Sequence, residues 1–250
     1  MNDLTLPFFA AFIGTFLIAG LVKGVTGMGL PTVAMGLLGA LISPVAAAAL
    51  LLIPSFVTNV WQLLSGPSLL SVAGRLWPMM ITIVIGTLSS ASLITAGAEW
   101  TASALGCVLI AYALFTLFGR QLSVPYTAER WVSPLVGLLT GLITGATGVF
   151  VVPAVPYIQA LGFSRDDLVQ ALGLSFTVST IALFLGLAVY GGIDMGNLAL
   201  STMAIAPALA GMWAGQALRR RISAAAFRRG FLICLVLLGC ELVLRPLWQT

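Results

Sequence analysis

The sequence has no histidine, one lysine and three cysteines among its 250 residues. Without histidine, the chain lacks the usual base of serine hydrolases and the ligands of HExxH metalloproteases and most haem sites. Cys107, Cys234 and Cys240 lie in apolar runs without CxxC spacing, so neither a disulfide framework nor a metal cluster is predicted. We therefore expect a protein that is not an enzyme and that uses no cofactor and no metal.

Charge is equally scarce, because only 7% of the residues are charged while 60% are hydrophobic. Soluble domains carry about 25% charged residues, and a water-facing surface cannot be built from so few. The composition predicts an all-α protein that crosses a membrane several times, with about 20 residues in each span. The basic residues form no dense stripe, so we expect the lipid bilayer and a small anion as partners, and no nucleic acid. A homo-oligomer is left open.

An internal repeat organises the chain. The pattern G-L-x-x-G-x-T-G occurs at Gly20–Gly27 and again at Gly141–Gly148, an offset of 121 residues, and the same offset relates Ser43 to Ser164. Such self-similarity indicates two diverged copies of one unit. We predict a single integral membrane domain in which residues 1–120 form the first membrane repeat and residues 131–250 the second.

Each half is predicted to contain a helix that ends in the Gly motif, a short apolar segment and three longer helices. The short segments are expected at 30–42 and 149–162, and the longer helices near 45–64, 76–96, 101–118, 168–190, 197–217 and 228–247. A helix of about 13 residues cannot span a core about 30 Å thick. The short segments are therefore predicted to be re-entrant or broken elements, which are stable only where protein or a water-filled cavity surrounds them.

The distribution of arginine predicts the orientation. Loop 219–229 carries five arginines and is predicted to be cytoplasmic by the positive-inside rule. The corresponding connection of the first half contains Glu99 and no basic residue, so we expect it outside. Arg75 falls in a connection that this scheme places inside. The two repeats are thus predicted to be inverted in a bacterial inner membrane, an arrangement typical of secondary transporters with a binding site near the midplane.

The candidate substrate site lies at the two Gly motifs. Gly27 and Gly148 are predicted hinges, because only glycine reaches positive φ without a steric cost. The helix N-termini that follow the motifs favour an anion, and Lys23 places the only lysine beside the first hinge. The predicted substrate-binding residues are Lys23, Thr26, Gly27, Gly29, Asn59, Gln62, Thr147, Gly148, Ser175, Thr177 and Ser179.

Structural interpretations stay open for several of these positions. Lys23 can instead anchor a helix end by extending to the membrane surface. The hydroxyl and amide side chains can join helices, and Gly20, Gly24, Gly141 and Gly145 have the small-xxx-small spacing of close helix packing. Glu241 and Arg245, four residues apart, are predicted to form an ion pair on the last helix. Glu241 can instead relay a proton in coupled transport.

The chain also resembles a known family. The paired Gly-rich motifs, the LGFS turn at Leu161–Ser164 after Pro153, and the closing GxxxGxxLRRRISxxxFRRGF from Gly211 resemble the sulfite exporter TauE/SafE family. One departure is Pro54, which stands where the second half has Ser175. The resemblance implies a multi-spanning inner-membrane permease with two homologous halves.

The function that this resemblance implies is a secondary transporter of a small sulfur-containing oxyanion, such as sulfite or an organosulfonate. We expect an exporter. An anion channel and a non-transporting membrane scaffold are the alternatives.

Overall fold

The computed structural model describes residues 6–97, 100–119, 123–219, 221 and 223–248, and this part of the chain is helical throughout with short connections. The helices are α1 (Leu6–Thr26), α2 (Leu30–Leu41), α3 (Pro44–Leu64), α4 (Leu69–Thr95), α5 (Trp100–Phe118), α6 (Tyr126–Thr147), α7 (Ala154–Ala160), α8 (Arg165–Val189), α9 (Met195–Met203), α10 (Ile205–Leu218) and α11 (Ala224–Trp248). Six helical stretches, formed by α1, α3, α4, α5, α8 and α9 with α10, are long and apolar enough to cross a membrane. The predicted all-α, multi-spanning fold is confirmed.

The Gly motifs end α1 and α6, as predicted. Gly27 and Gly148 have φ angles of 79° and 73°, and Gly29 follows with φ 102°. An added Cβ at Gly27 would meet no atom within 4 Å, so the backbone conformation alone explains this glycine. The chain turns back through these residues after each motif.

The two short segments differ from one another. The 12-residue helix α2 is about 18 Å long and matches the prediction of a segment too short to span the membrane. In the second half, residues 149–153 are not helical, and α7 contains only seven residues. The predicted second helix N-terminus is present, but α7 begins six residues after Gly148, whereas α2 begins three residues after Gly27, so the two short helices are not equivalent in length or position. Pro153 and Pro156 lack the N–H groups from which a longer helix would be built.

Close helix packing explains the other glycines of the motifs. An added Cβ at Gly20 or Gly24 would overlap backbone oxygens of α10, and one at Gly141 or Gly145 would overlap backbone oxygens of α4. Neither pair of helices has room for a methyl group between its backbones. The packing interpretation of these four glycines is thus confirmed.

Helices of one half pack mainly against helices of the other half, and equivalent helices make equivalent pairs. α1 packs along α10 and α6 along α4, while α3 crosses α8 and α5 lies against α11. α3 and α8 run in opposite directions, since Gln62 near the end of α3 contacts Val169 near the start of α8, whereas Asn59 contacts Thr180 further along. The opposite orientation of the complete repeats stays a prediction, and Glu99 lies outside the described residues.

Three predicted helix boundaries are corrected. α4 begins at Leu69 rather than near 76, which places Arg75 inside the helix instead of in a connection. α11 begins at Ala224, so Arg228 and Arg229 lie in its first two turns. The helix predicted at 197–217 is interrupted at Ala204, where α9 ends and α10 begins.

Pro54 interrupts the hydrogen bonding of α3 and is compensated from another helix. A proline cannot donate a backbone hydrogen bond, so the Leu50 carbonyl four residues earlier loses its helical partner. The Ser201 hydroxyl of α9 donates to this carbonyl oxygen at 2.7 Å and accepts from the Ile53 N–H at 3.2 Å. The departure from the repeat at Pro54 is therefore accommodated by a fully buried serine.

Candidate functional site

Lys23 lies inside the protein. Its residue is 3% exposed, and its ammonium group donates to Thr58 Oγ1 at 3.2 Å and to Asn59 Oδ1, both on α3. The side chain therefore does not extend to the membrane surface, and the anchoring interpretation is wrong. Because both acceptors are neutral, the charge is stabilised by hydrogen bonds and by no recorded carboxylate among the described residues.

Asn59 connects this lysine to the second half of the chain. Its Nδ2 donates to Thr180 Oγ1 on α8 at 3.3 Å. The two residues are 121 positions apart, the offset that also relates the Gly motifs, so equivalent positions of the repeats face each other here. Asn59 and Thr180 are 0% and 2% exposed. A buried polar centre thus lies where α1, α3 and α8 meet, and we call Lys23, Thr58, Asn59 and Thr180 the polar centre.

Gln62, one turn beyond the polar centre on α3, is bonded to the first hinge. Its Nε2 donates to the Gly27 carbonyl oxygen at 3.0 Å and to the Val169 carbonyl oxygen at 2.9 Å. Both amide protons are used, while Oε1 is buried with no protein partner. Gln62 therefore ties the hinge at the end of α1 to the start of α8.

Thr26 and Thr147 close the two hinges in the same way. Each hydroxyl donates to a carbonyl oxygen of the preceding turn, Val22 or Ile143, and accepts from the N–H two residues ahead. In this conformation neither hydroxyl has a proton free for an anion. Their part in substrate binding stays a prediction.

The three predicted residues of α8 are buried. Thr177 donates to the Gly173 carbonyl oxygen at 2.7 Å, a bond within the helix. Ser175 and Ser179 are 0% exposed, and their hydroxyl groups have no protein partner. No recorded hydrogen bond of the described residues joins these three side chains to Lys23, but Ser179 directly precedes Thr180 of the polar centre.

Ser55 is a residue that the sequence argument missed. It lies one helical turn before Asn59 on α3, is 0% exposed, and carries an unpartnered hydroxyl. Buried polar groups usually have hydrogen-bond partners, so the unpartnered hydroxyl groups of Ser55 on α3 and of Ser175 and Ser179 on α8 need an explanation. The only sequence signal was a serine in an apolar run.

An ion pair at one end of the molecule was also missed. Arg75 of α4 donates from Nε to Glu129 Oε2 at 2.9 Å and from Nη2 to Glu129 Oε1 at 2.5 Å, and Nη2 donates further to the Leu161 carbonyl oxygen at 2.9 Å. The arginine thereby joins α4, α6 and the residue after α7. The residues are 54 positions apart, and no local spacing links them.

Gln170 makes a second connection between α3 and α8. Its Nε2 donates to the carbonyl oxygens of Leu63 and Gly66 at 2.8 and 3.0 Å, and its Oε1 accepts from the Ser68 N–H at 2.8 Å. Together with Gln62 it holds the end of α3 against the start of α8. An amide in the otherwise apolar part of α8 was the signal that could have revealed it.

The predicted pair of Glu241 and Arg245 is not present. Arg245 Nη1 donates to the Ala40 carbonyl oxygen at 2.7 Å, and the ion pair recorded within the described residues is that of Arg75 and Glu129. Arg245 thus caps the C-terminal end of α2, because the last turn of a helix leaves carbonyl groups without a helical partner.

These features define a class of protein: a multi-pass membrane protein with interrupted helices and a buried polar centre that contains a lysine. The family model described as sulfite exporter TauE/SafE matches residues 12–242. The chain therefore belongs to the sulfite exporter TauE/SafE family, which is a family of membrane transporters rather than enzymes. No curated protein and no solved structure matches the chain.

Proposed function

We propose that this protein is a secondary transporter that exports a small sulfur-containing oxyanion, such as sulfite or an organosulfonate, across a bacterial inner membrane. The observation that carries the proposal is the buried Lys23 ammonium, which is held by neutral acceptors in the centre of the helices. Family membership supports transport of sulfite-type anions.

The chemistry of the polar centre suits an oxyanion. An ammonium group has three N–H donors, and two of those of Lys23 are used by Thr58 and Asn59. The third donor and the charge are available to a substrate. A charge in the bilayer core costs about 2.5 to 3.5 kcal/mol or more, so a lysine without a carboxylate partner is a candidate for function.

The remaining predicted residues have separate parts in this proposal. Lys23 and Asn59 bind the anion directly, and Ser175 and Ser179 offer the hydroxyl donors of the second repeat. Thr26, Thr147 and the three hinge glycines Gly27, Gly29 and Gly148 shape the hinges that must move. Gln62 couples movement of the first hinge to α8, because its amide donates to the Gly27 carbonyl oxygen of the hinge and to the Val169 carbonyl oxygen of α8.

Movement is required because the polar centre is closed in this conformation. Its four residues are between 0% and 3% exposed, so an anion cannot reach Lys23 without displacement of a helix. Such a closed state is expected in alternating access, in which the site opens to one side at a time. A permanently open channel has no need of it.

The direction of export follows from the sign of the membrane potential and does not depend on how the protein is oriented in the membrane. An inside-negative potential drives an anion outward with about 2.3 kcal/mol per charge per 100 mV. No coupling ion is then needed. Accumulation that depends strictly on an imposed pH gradient would contradict this point.

Uptake of radiolabelled sulfite into proteoliposomes tests the function. We expect saturable uptake that empty liposomes lack and that an excess of an organosulfonate inhibits. Flux that rises linearly with concentration would indicate a channel instead. Absence of flux would contradict transport of this substrate class and favour the scaffold alternative.

Lys23→Ala tests the site. The variant should fold, because it removes a buried charge while Thr58 Oγ1 still donates to the Pro54 carbonyl oxygen and Asn59 Nδ2 still donates to Thr180 Oγ1. Its apparent affinity for sulfite should fall at least about tenfold, the equivalent of 1.4 kcal/mol. Lys23→Arg, which retains the charge, is the matched control and should retain part of the flux. Unchanged affinity in Lys23→Ala would refute the assigned site.

A further inference from the structure

We infer that the polar centre selects oxyanions by charge and accepts a monoanion, of the sulfonate type, in preference to a dianion of the same shape. This inference rests on the proposed function and narrows its substrate class. It follows from the single positive charge that the described residues bring to the polar centre.

The positive charge at the site is single. Lys23 is the only lysine of the chain, and its recorded partners are an alcohol and an amide. The described arginines occupy the ends of the helices or the connections between them, and Arg75 is paired with Glu129. One bound monoanion therefore makes the polar centre neutral, whereas a dianion leaves it with a net negative charge.

The free donors are neutral. Ser175 and Ser179 on α8 and Ser55 on α3 are fully buried, and the hydroxyl of each has no partner within the protein. Ser179 is the repeat equivalent of Thr58, which accepts from Lys23 in the first half, and Thr144 occupies the place of the lysine in the second. The second repeat thus offers hydroxyl groups where the first offers an ammonium group.

The polar centre discriminates between a monoanion and a dianion because the attraction to Lys23 and the cost of dehydrating the anion depend differently on the charge of the anion. Attraction to one ammonium group doubles when the anion carries a second charge. The cost of removing the anion from water rises about fourfold, since it grows with the square of the charge. Hydroxyl donors bind oxygen atoms but add no net positive charge, so they cannot compensate for the difference.

Methanesulfonate and sulfate provide the test, because both are tetrahedral oxyanions of similar size and differ by one charge near neutral pH. Each competes, unlabelled, with radiolabelled sulfite for uptake into proteoliposomes that contain the complete protein. We expect methanesulfonate to inhibit at a concentration at least about tenfold lower than sulfate does, a difference of 1.4 kcal/mol. Equal inhibition, or stronger inhibition by sulfate, would overturn the charge selectivity and leave the proposed function intact.

Measurements of flux distinguish failure of the inference from failure of the proposed function. If labelled sulfite shows no protein-dependent flux, and labelled methanesulfonate shows none either, the proposed function fails and the inference fails with it. Methanesulfonate flux in the absence of sulfite flux would leave an anion transporter, and the inference would then be tested with labelled methanesulfonate: it holds if unlabelled sulfate inhibits at least about tenfold more weakly than unlabelled methanesulfonate, and fails if the two inhibit equally.

Asn59→Asp is the matched variant. It preserves the size of the side chain but places a carboxylate against the Lys23 ammonium group, so the net charge of the polar centre becomes zero. We expect a folded protein, with a melting temperature at least equal to that of the parent, that has lost methanesulfonate inhibition and flux. Asn59→Gln, which adds no charge, should retain more flux. Full anion flux in Asn59→Asp would refute the requirement for one uncompensated charge.

Discussion

Replacing Gly24 by alanine tests how closely the packing of α1 sets the position of Lys23. Gly24 directly follows the lysine and faces α10. An added Cβ would overlap the Met212 carbonyl oxygen and would lie 2.9 Å from both the Gln216 nitrogen and the Gly215 Cα. All three atoms belong to the backbone, so no side chain can rotate away and the two helices must separate.

The size of the effect follows from this overlap. Overpacking of a well-packed interface costs about 1 to 3 kcal/mol. For a chain of this length, each kcal/mol lowers the melting temperature by about 2 to 4 °C, so we expect a decrease of roughly 2 to 12 °C. The displacement should also lengthen the 3.2 Å bond from Lys23 to Thr58, which is already near the limit for a hydrogen bond.

Gly14 provides the matched control on the same helix. A Cβ at Gly14 would meet no atom within 4 Å. Alanine is favoured over glycine within a helix by about 0.5 to 1 kcal/mol, so Gly14→Ala should raise the melting temperature by roughly 1 to 4 °C. The two variants should thus shift stability in opposite directions although they make the same chemical change in one helix.

Thermal unfolding in detergent, followed by tryptophan fluorescence, measures both variants, and sulfite uptake into proteoliposomes measures their function. Gly24→Ala should lose anion affinity in addition to stability, while Gly14→Ala should retain it. A Gly24→Ala protein with parental stability and parental flux would refute the packing argument. Equal destabilisation by both substitutions would show that the close contact of Gly24 with α10 does not separate them.

Three further changes test other contacts. Gln62→Leu removes the two N–H donors that bind buried backbone oxygens, so it should lower the free energy of unfolding by about 1 to 3 kcal/mol and slow transport. Gln62→Glu should be more stable than Gln62→Leu only under acidic conditions, where the protonated carboxyl group still donates one hydrogen bond. Glu129→Gln leaves Arg75 without a counter-charge and should lower the free energy of unfolding by about 1 to 3 kcal/mol, less than for a fully buried pair because the Arg75 side chain is 28% exposed. In a protein without native cysteines, Ser223→Cys should react with a membrane-impermeant thiol reagent only from the cytoplasmic side, and Glu99→Cys only from the outside. Labelling of both cysteines from the same side would refute the inverted orientation.

Much of the fold was accessible from the sequence because its causes are local or compositional. A chain with 7% charged residues cannot form a soluble surface, and the repeated G-L-x-x-G-x-T-G pattern places glycine where the backbone must reverse. The positive φ angles of Gly27 and Gly148 confirm that part of the prediction. The length of α2 follows from the same local signals.

The second short segment shows where local reasoning failed. Repeat symmetry predicts an equal partner for α2, but the second half contains two prolines three residues apart, and its helix is reduced to seven residues. The two prolines are visible in the sequence. The sequence does not show whether their missing N–H groups shorten the helix that the repeat predicts. Glu241 and Arg245 failed for a similar reason, because helical spacing permits a pair while a free carbonyl at the end of α2 offered Arg245 another partner.

By itself, the sequence determined the all-helical membrane fold, the two hinges and the presence of a lone lysine beside one of them, because composition and short spacings act within one element. Only the tertiary structure decided that Lys23 points to Asn59, 36 residues away, and that Asn59 meets its repeat equivalent Thr180, 121 residues away. It also left Ser175 and Ser179 buried without partners. These relations depend on which helix faces cross and how closely their glycines let them approach, and no pattern along a single helix contains that information.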